Sequence, residues 1–277
     1  MTNASAPTLQ DCRDDIAVDV GRVEQDPENT SLQRGLATKY HLLGDRLLDE
    51  GLAEEALQAH RSGLAINQDL ARKAPEDPYR QRELFTSHDN LANALLQAGE
   101  YDDGMRAHRD GFAIRERLLE QEPDNRMRQI DLFHGLSRLA AMLMRADLPD
   151  ESLRAWRDAQ ALARRHVEHT PDDTHWLSYL AVSCERVGTM LFGKGQCDEA
   201  LHAYRESLAL HEQVEDGIPE TTVGQQSRAR LRDRIGLALL QLGRSEEGRR
   251  AQRDAHAIRE RLPEVERASR EWRDQYF

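Results

Sequence analysis

Five prolines set the frame of this chain. Pro27, Pro75, Pro123, Pro171 and Pro219 stand 48 residues apart throughout, with no insertion between any two. Each interval carries two apolar stripes and a turn. Leu43, Leu91, Leu139, Val187 and Ile235 share one column, and Leu47, Leu95, Leu143, Leu191 and Leu239 follow four residues on. That spacing puts both columns on one face of a helix. Between them lie Gly44, Ala92, Ala140, Gly188 and Gly236, small enough for a neighbouring helix backbone to approach. Gly51, Gly99, Gly195 and Gly243 mark a turn with a left-handed backbone, and Asp147 stands in for glycine in the third unit.

A second helix is predicted after each turn. It opens on paired acids such as Glu54-Glu55 and Asp102-Asp103, which suit the positive end of a helix dipole, and Pro149 fits a first turn. Two alanine columns, Ala59 to Ala251 and Ala65 to Ala257, are expected to form close-contact surfaces. Beside them Arg61, Arg109, Arg157, Arg205 and Arg253 form a ladder, with Arg13 in the same register upstream. Its expected role is stacking, each stem lying on the next repeat and pairing with an acid there, rather than ligand binding.

Helix, glycine turn, second helix and small residues at the contacts resemble the tetratricopeptide repeat, whose usual period is about 34 residues. Ala56, Gly104, Ser152, Ala200 and Gly248 match its small-residue signature, and His60, His108, Trp156 and Tyr204 its bulky slot. The segments Tyr79-Arg80-Gln81-Arg82-Glu83-Leu84 and Ala113-Ile114-Arg115-Glu116-Arg117-Leu118 resemble a bacterial long-helix variant. About 14 extra residues per repeat equal roughly four helical turns, two for each helix. The resemblance implies an all-α, right-handed α-solenoid of helix-turn-helix repeats used for interaction. The organisation read from the sequence is a disordered tail (1–8), then one array (9–262). The array comprises a half-repeat (9–26) and units starting at 27, 75, 123, 171 and 219. Residues 263–277 follow as a cap or a truncated next helix. Arg228, Arg232 and Arg249 replace apolar residues of earlier units, as an end face exposed to water requires.

The residues exclude several functions. No run approaches the roughly 20 apolar residues that span a bilayer, and the start lacks the basic and apolar regions of an export signal. Three cysteines without a C-x-x-C pair fit ordinary repeat slots in a reducing, cytoplasmic setting. Gly188 to Gly195 imitates a phosphate-binding loop, yet Gly195 replaces its hydroxyl residue and Gly188 falls inside a predicted helix. No metal-ligand or nucleophile motif is present, so no catalytic, cofactor or metal site is expected.

Binding is therefore expected on a surface. The net charge is −12, but residues 228–273 reverse the sign with 13 arginines against 8 acids. A single aromatic residue, Trp272, stands among these arginines, which argues against nucleic acid. In tetratricopeptide superhelices the first helices line the inner groove, and the column Leu42, Asn90, Arg138, Arg186, Arg234 would lie there, with Asn93 one turn from Asn90. By that resemblance Asn90, Asn93, Arg138, Arg186 and Arg234 hold the backbone and carboxylates of an acidic protein or peptide segment. The lysines of the carboxylate-clamp version are missing, and Glu185 and Asp233 sit where they would neutralise Arg186 and Arg234. A regulatory arm of a signalling or defence system and a self-assembling rod are the other readings. The chain is expected to be a monomer or to associate weakly head to tail.

Overall fold

The computed structural model describes residues 8–215 and 221–262. The expected tail, except for Thr8, and the segment 263–277 fall outside them. Thr8 caps the first helix, accepting from the Asp11 amide while Asp11 accepts from the Thr8 amide. Among the described residues the secondary structure is helical, in eleven segments without a strand.

Two compact units divide the chain, one ending at Asp147 and the other starting at Leu148. The first holds α1 (Leu9–Gln25), α2 (Thr30–Asp49), α3 (Ala53–Lys73), α4 (Pro78–Gln97), α5 (Tyr101–Gln121) and α6 (Arg126–Arg145). The second holds α7 (Pro149–His169), α8 (Thr174–Gly193), α9 (Cys197–Glu215), α10 (Thr222–Gln241) and α11 (Ser245–Glu260). Within each unit every helix packs on the next in sequence. First helices also touch one another, α2 on α4 and α4 on α6.

The two helix types start differently. Asn29, Asp77, Asn125, Asp173 and Thr221 cap α2, α4, α6, α8 and α10, each side chain accepting from an amide of the first turn. Leu52, Glu100, Leu148 and Arg244 make no such bond, so α3, α5, α7 and α11 begin without a side-chain cap but with acids in the first turn. Between the helices, Gly51, Gly99, Gly195 and Gly243 take φ of 75° to 83°, and Asp147 takes 57°. At Gly51 two bonds close the turn, Gly51 N–H to Leu48 O at 3.0 Å and Leu52 N–H to Leu47 O at 2.8 Å. This is a Schellman motif, and it recurs at the other three glycines.

The leucine columns are core. In the first unit Leu36, Leu43 and Leu47 pack with Ile16, Ala56 and Ala59, and Leu91 and Leu95 with Leu57, Leu64, Ala107 and Met142. In the second, Trp176, Leu177, Leu180, Leu191, Ala200, Leu201 and Tyr204 are buried. One alanine column is corrected. Ala65, Ala113, Ala161, Ala209 and Ala257 are all exposed. The buried contact lies two residues earlier, at Gly63, Gly111, Ala159, Ser207 and Ala255. The first-helix glycines also differ from expectation. A Cβ on Gly44 would stand 2.5 Å from the His60 ring, and one on Gly188 would stand 2.8 Å from the Tyr204 ring. These two glycines make room for a ring, whereas Gly236 makes room for the Gln252 side chain at 2.8 Å and the Gly248 carbonyl oxygen at 3.0 Å.

The arginine ladder shows its expected pairing at two rungs, Arg13 with Glu55 at 2.6 Å and Arg157 with Glu199 at 4.0 Å. Each guanidinium reaches the acid that opens the next second helix. At the last repeat Arg232 turns back to Glu212 at 3.2 Å, while Arg249 is exposed.

Candidate interaction face

The sequence-derived residues do lie on first helices. Asn90 is half-buried and Asn93 exposed on α4, and Arg138 on α6 keeps 53 % of its side chain exposed. In the second unit Arg186 on α8 is half-buried, its guanidinium 6.0 Å from the Trp156 ring centroid. Arg234 on α10 has 17 % of its side chain exposed and lies 5.9 Å from the Tyr204 ring.

These arginines are tied to a column of which the sequence singled out only Glu185 and Asp233. His41, Asp89, Ser137, Glu185 and Asp233 occupy one register of the first helices, and Asn67, Arg115, Ala163, His211 and Arg259 one register of the second. The two registers carry complementary chemistry. Asp89 is buried and takes a two-pronged bond from Arg115, itself buried and lying 4.1 Å from the Phe85 ring centroid. His108 Nδ1 stands 3.4 Å away, and Arg138 reaches the same carboxylate at 3.3 Å from the next first helix. Burial works to raise the Asp89 pKa, but the His108 ring and the Arg115 charge reverse it and hold the group below the usual carboxylate range.

Glu185 is equally buried but is held from elsewhere. Arg230 Nε and Nη2 donate to its two oxygens at 2.7 and 3.1 Å, and Arg234 Nη1 lies 3.2 Å from Oε1. Both arginines come from α10. Burial raises the pKa, and the Arg230 bonds and charge, with Arg234 and Arg186, bring it below the ordinary value. Burial in turn lowers the pKa of Arg186, against the Glu185 charge. Asp233, expected beside Arg234, instead pairs with Arg259 on α11.

The first repeat carries a neutral version. Ser87 Oγ donates to Glu83 O at 2.9 Å and accepts from Asn67 Nδ2 at 2.7 Å. Its one hydrogen is therefore spent, so His41 donates to it through Nε2 at 2.8 Å and accepts at Nδ1 from His60 Nδ1, 3.2 Å away. The two rings stack with centroids 5.5 Å apart. Burial depresses the pKa of His41 to about 4, helped by the His60 charge, and burial alone does the same for His60.

Gly188 lies within α8 and Gly195 in the following turn, so the phosphate-loop imitation has neither the strand nor the helix start that such a loop needs. No group of three or more His, Cys, Asp or Glu side chains able to hold a metal occurs among the described residues. Nor is any described helix long and apolar enough to cross a membrane.

A tetratricopeptide repeat model matches residues 86–125 and 180–215. No curated protein matches the chain. Among solved structures, BtubC (BKLC) from P. vanneervenii is similar with a TM-score of 0.67 at 14% identity, over 91% of this chain and 89% of that one. RapI in its apo form gives 0.68 at 10% identity, over 93% of this chain and 62% of its own length. A Podosopora anserina protein of nearly identical TPR-like repeats gives 0.58 at 18%, over 82% and 95%. These likenesses establish the fold, an all-helical α-solenoid of tetratricopeptide-like repeats.

Proposed function

We propose that this stack of tetratricopeptide-like repeats is a non-catalytic interaction scaffold that holds an acidic protein or peptide segment along its first helices. One observation carries the reading. Arg138 and Arg234 are partly exposed guanidinium groups whose orientation is already set by a buried carboxylate of the preceding first helix. Ordering an arginine before its ligand arrives reduces the entropy lost on binding. Asn90 and Asn93 offer amides on the same helix type, suited to the backbone of an extended chain. Cys12, Cys184 and Cys197 are free thiols, and burial pushes the Cys184 thiol up to about 12.

The test begins with Asn90→Ala/Asn93→Ala, since Asn93 is exposed and neither side chain belongs to the buried network. Partner recovered from native lysate should fall while the unfolding curve is unchanged. Binding should also weaken with added salt, because exposed charge contacts are screened over about 8 Å at physiological ionic strength. Salt-insensitive recovery unaffected by these changes would place the partner on another surface.

A further inference from the structure

Arg230 breaks its column. The equivalent positions hold Thr38, Thr86, His134 and Val182, none of which carries a fixed charge. Its guanidinium uses one edge, Nε and Nη2, on Glu185, at 2.7 and 3.1 Å. A guanidinium has a second edge, formed by Nη1 with the outer hydrogen of Nη2, and 39% of the Arg230 side chain is exposed.

The charges around it do not balance. Glu185 faces Arg230 and Arg234 from α10, and its charge also acts on Arg186 of its own helix. From α9, His211 is kept towards its neutral form by burial. Glu206 and Glu212 of α9 are engaged elsewhere, with Arg164 at 2.7 Å and Arg232 at 3.2 Å, and Asp233 of α10 pairs with Arg259. One carboxylate thus orients two guanidinium groups without cancelling their charge.

We propose that Arg230 is an oxyanion receptor. Its outer edge takes a carboxylate or phosphoryl oxygen of the partner, Arg234 supplies further positive field, and Glu185 is the positioning residue that fixes the plane of the fork. This rests on the scaffold reading above and names the chemistry recognised in the second unit. Lysine would keep the charge but lose the fork, and a two-pronged bond is what arginine adds over a point charge.

The experiment uses the full chain and two probes, a fluorescent hexaglutamate peptide and a peptide of equal length carrying one phosphoserine, read by anisotropy at low and physiological salt. Binding of either probe, weakened about tenfold by Arg230→Lys and unaltered by Arg253→Gln on α11, is the expected result. The tighter probe identifies the anion. Glu185→Gln adds a test of sign, because a positioning role predicts weaker binding, whereas removing a competing negative charge predicts tighter binding. Tighter binding overturns the proposal, as does Arg230→Lys binding like the wild type. Should Arg230→Lys unfold, the double change Glu185→Gln/Arg230→Val removes both charges, and it must likewise lose the probe. Failure of both probes on the wild type also overturns the Arg230 assignment. The scaffold reading is judged separately by the Asn90 and Asn93 changes on recovered partner.

Discussion

Asp89 and Glu185 occupy the same register two repeats apart, are both buried, and are satisfied in opposite ways. Asp89 draws its main partner from the second helix of its own repeat, and that partner, Arg115, is buried too. Glu185 finds His211 at the equivalent place and takes its arginines from the following repeat, where Arg230 is partly exposed. Two changes, histidine at 211 where Arg115 stands two repeats earlier and arginine at 230 where His134 stands, thus move the counter-charge from inside a repeat to the contact between repeats. The first pair holds a helical hairpin together. The second ties neighbouring first helices and leaves cationic surface available.

The largest effect expected from this contrast is at Arg115. Arg115→Leu leaves Asp89 buried with only the His108 ring and the outlying Arg138, which should cost about 3 to 5 kcal/mol in denaturant unfolding of the first unit. Ser137 and Ala163 fill the two registers in the third repeat, so Asp89→Ser/Arg115→Ala should recover most of the loss. A double variant as unstable as the single one would show that packing, not the charge pair, matters there.

Acid should separate the units next. His41 and His60 have folded pKa values near 4 against about 6.5 when unfolded, so the unfolded chain binds protons first. Stability is then lost as pH falls from about 6.5 towards 4, by a few kcal/mol for the coupled pair. His88 and His134, lowered by burial, add to this in the first unit, against His211 in the second. The lowered carboxyls Asp89 and Glu185 act in the same direction, but only as pH drops below the ordinary carboxylate range. Melting measured across this window should therefore show the first unit failing earlier. His60→Tyr, which copies the Gly188 and Tyr204 pairing beside Gly44, should flatten its profile.

Smaller changes sharpen the comparison. Arg230→Val should cost about 1 to 2 kcal/mol by thermal unfolding, because Arg234 still reaches Glu185. Loss on the Arg115 scale would mean that the second centre is as enclosed as the first. Least of all, Glu199→Ala at the exposed rung with Arg157 should stay under about 0.5 kcal/mol, and a larger shift would give the arginine ladder a structural weight that its exposure denies.

Much of the fold was legible because its rules are local. Leu43 with Leu47 announces a helix face, and Gly51 a left-handed turn, from a few neighbouring residues. Asp147 was legible for the same reason, since aspartate tolerates that backbone. The alanines at Ala65 and Ala161 misled because alanine favours helix whether it faces a neighbour or water. The true contact column was hidden by its variety, Gly63 and Ser207 looking unrelated until their shared burial is seen. The candidate face was read less well. Arg138 and Arg234 were found as a column, with Glu185 and Asp233 beside it, but Asp89, which orients Arg138, emerges only when two registers, 26 residues apart, are compared for complementary charge.

The unequal helix starts have a consequence on the timescale of local opening. Amides in the first turns of α2, α4, α6, α8 and α10 are tied to a capping side chain, so they exchange with solvent only when that cap lets go. Those of α3, α5 and α11 lack the tether and fray at lower cost. The repeats of α2 with α3, α4 with α5, α6 with α7 and α10 with α11 thus pair a helix with a pinned start and a helix with an uncapped one. Deuterium should enter the chain in bands 48 residues apart, earliest just beyond each turn.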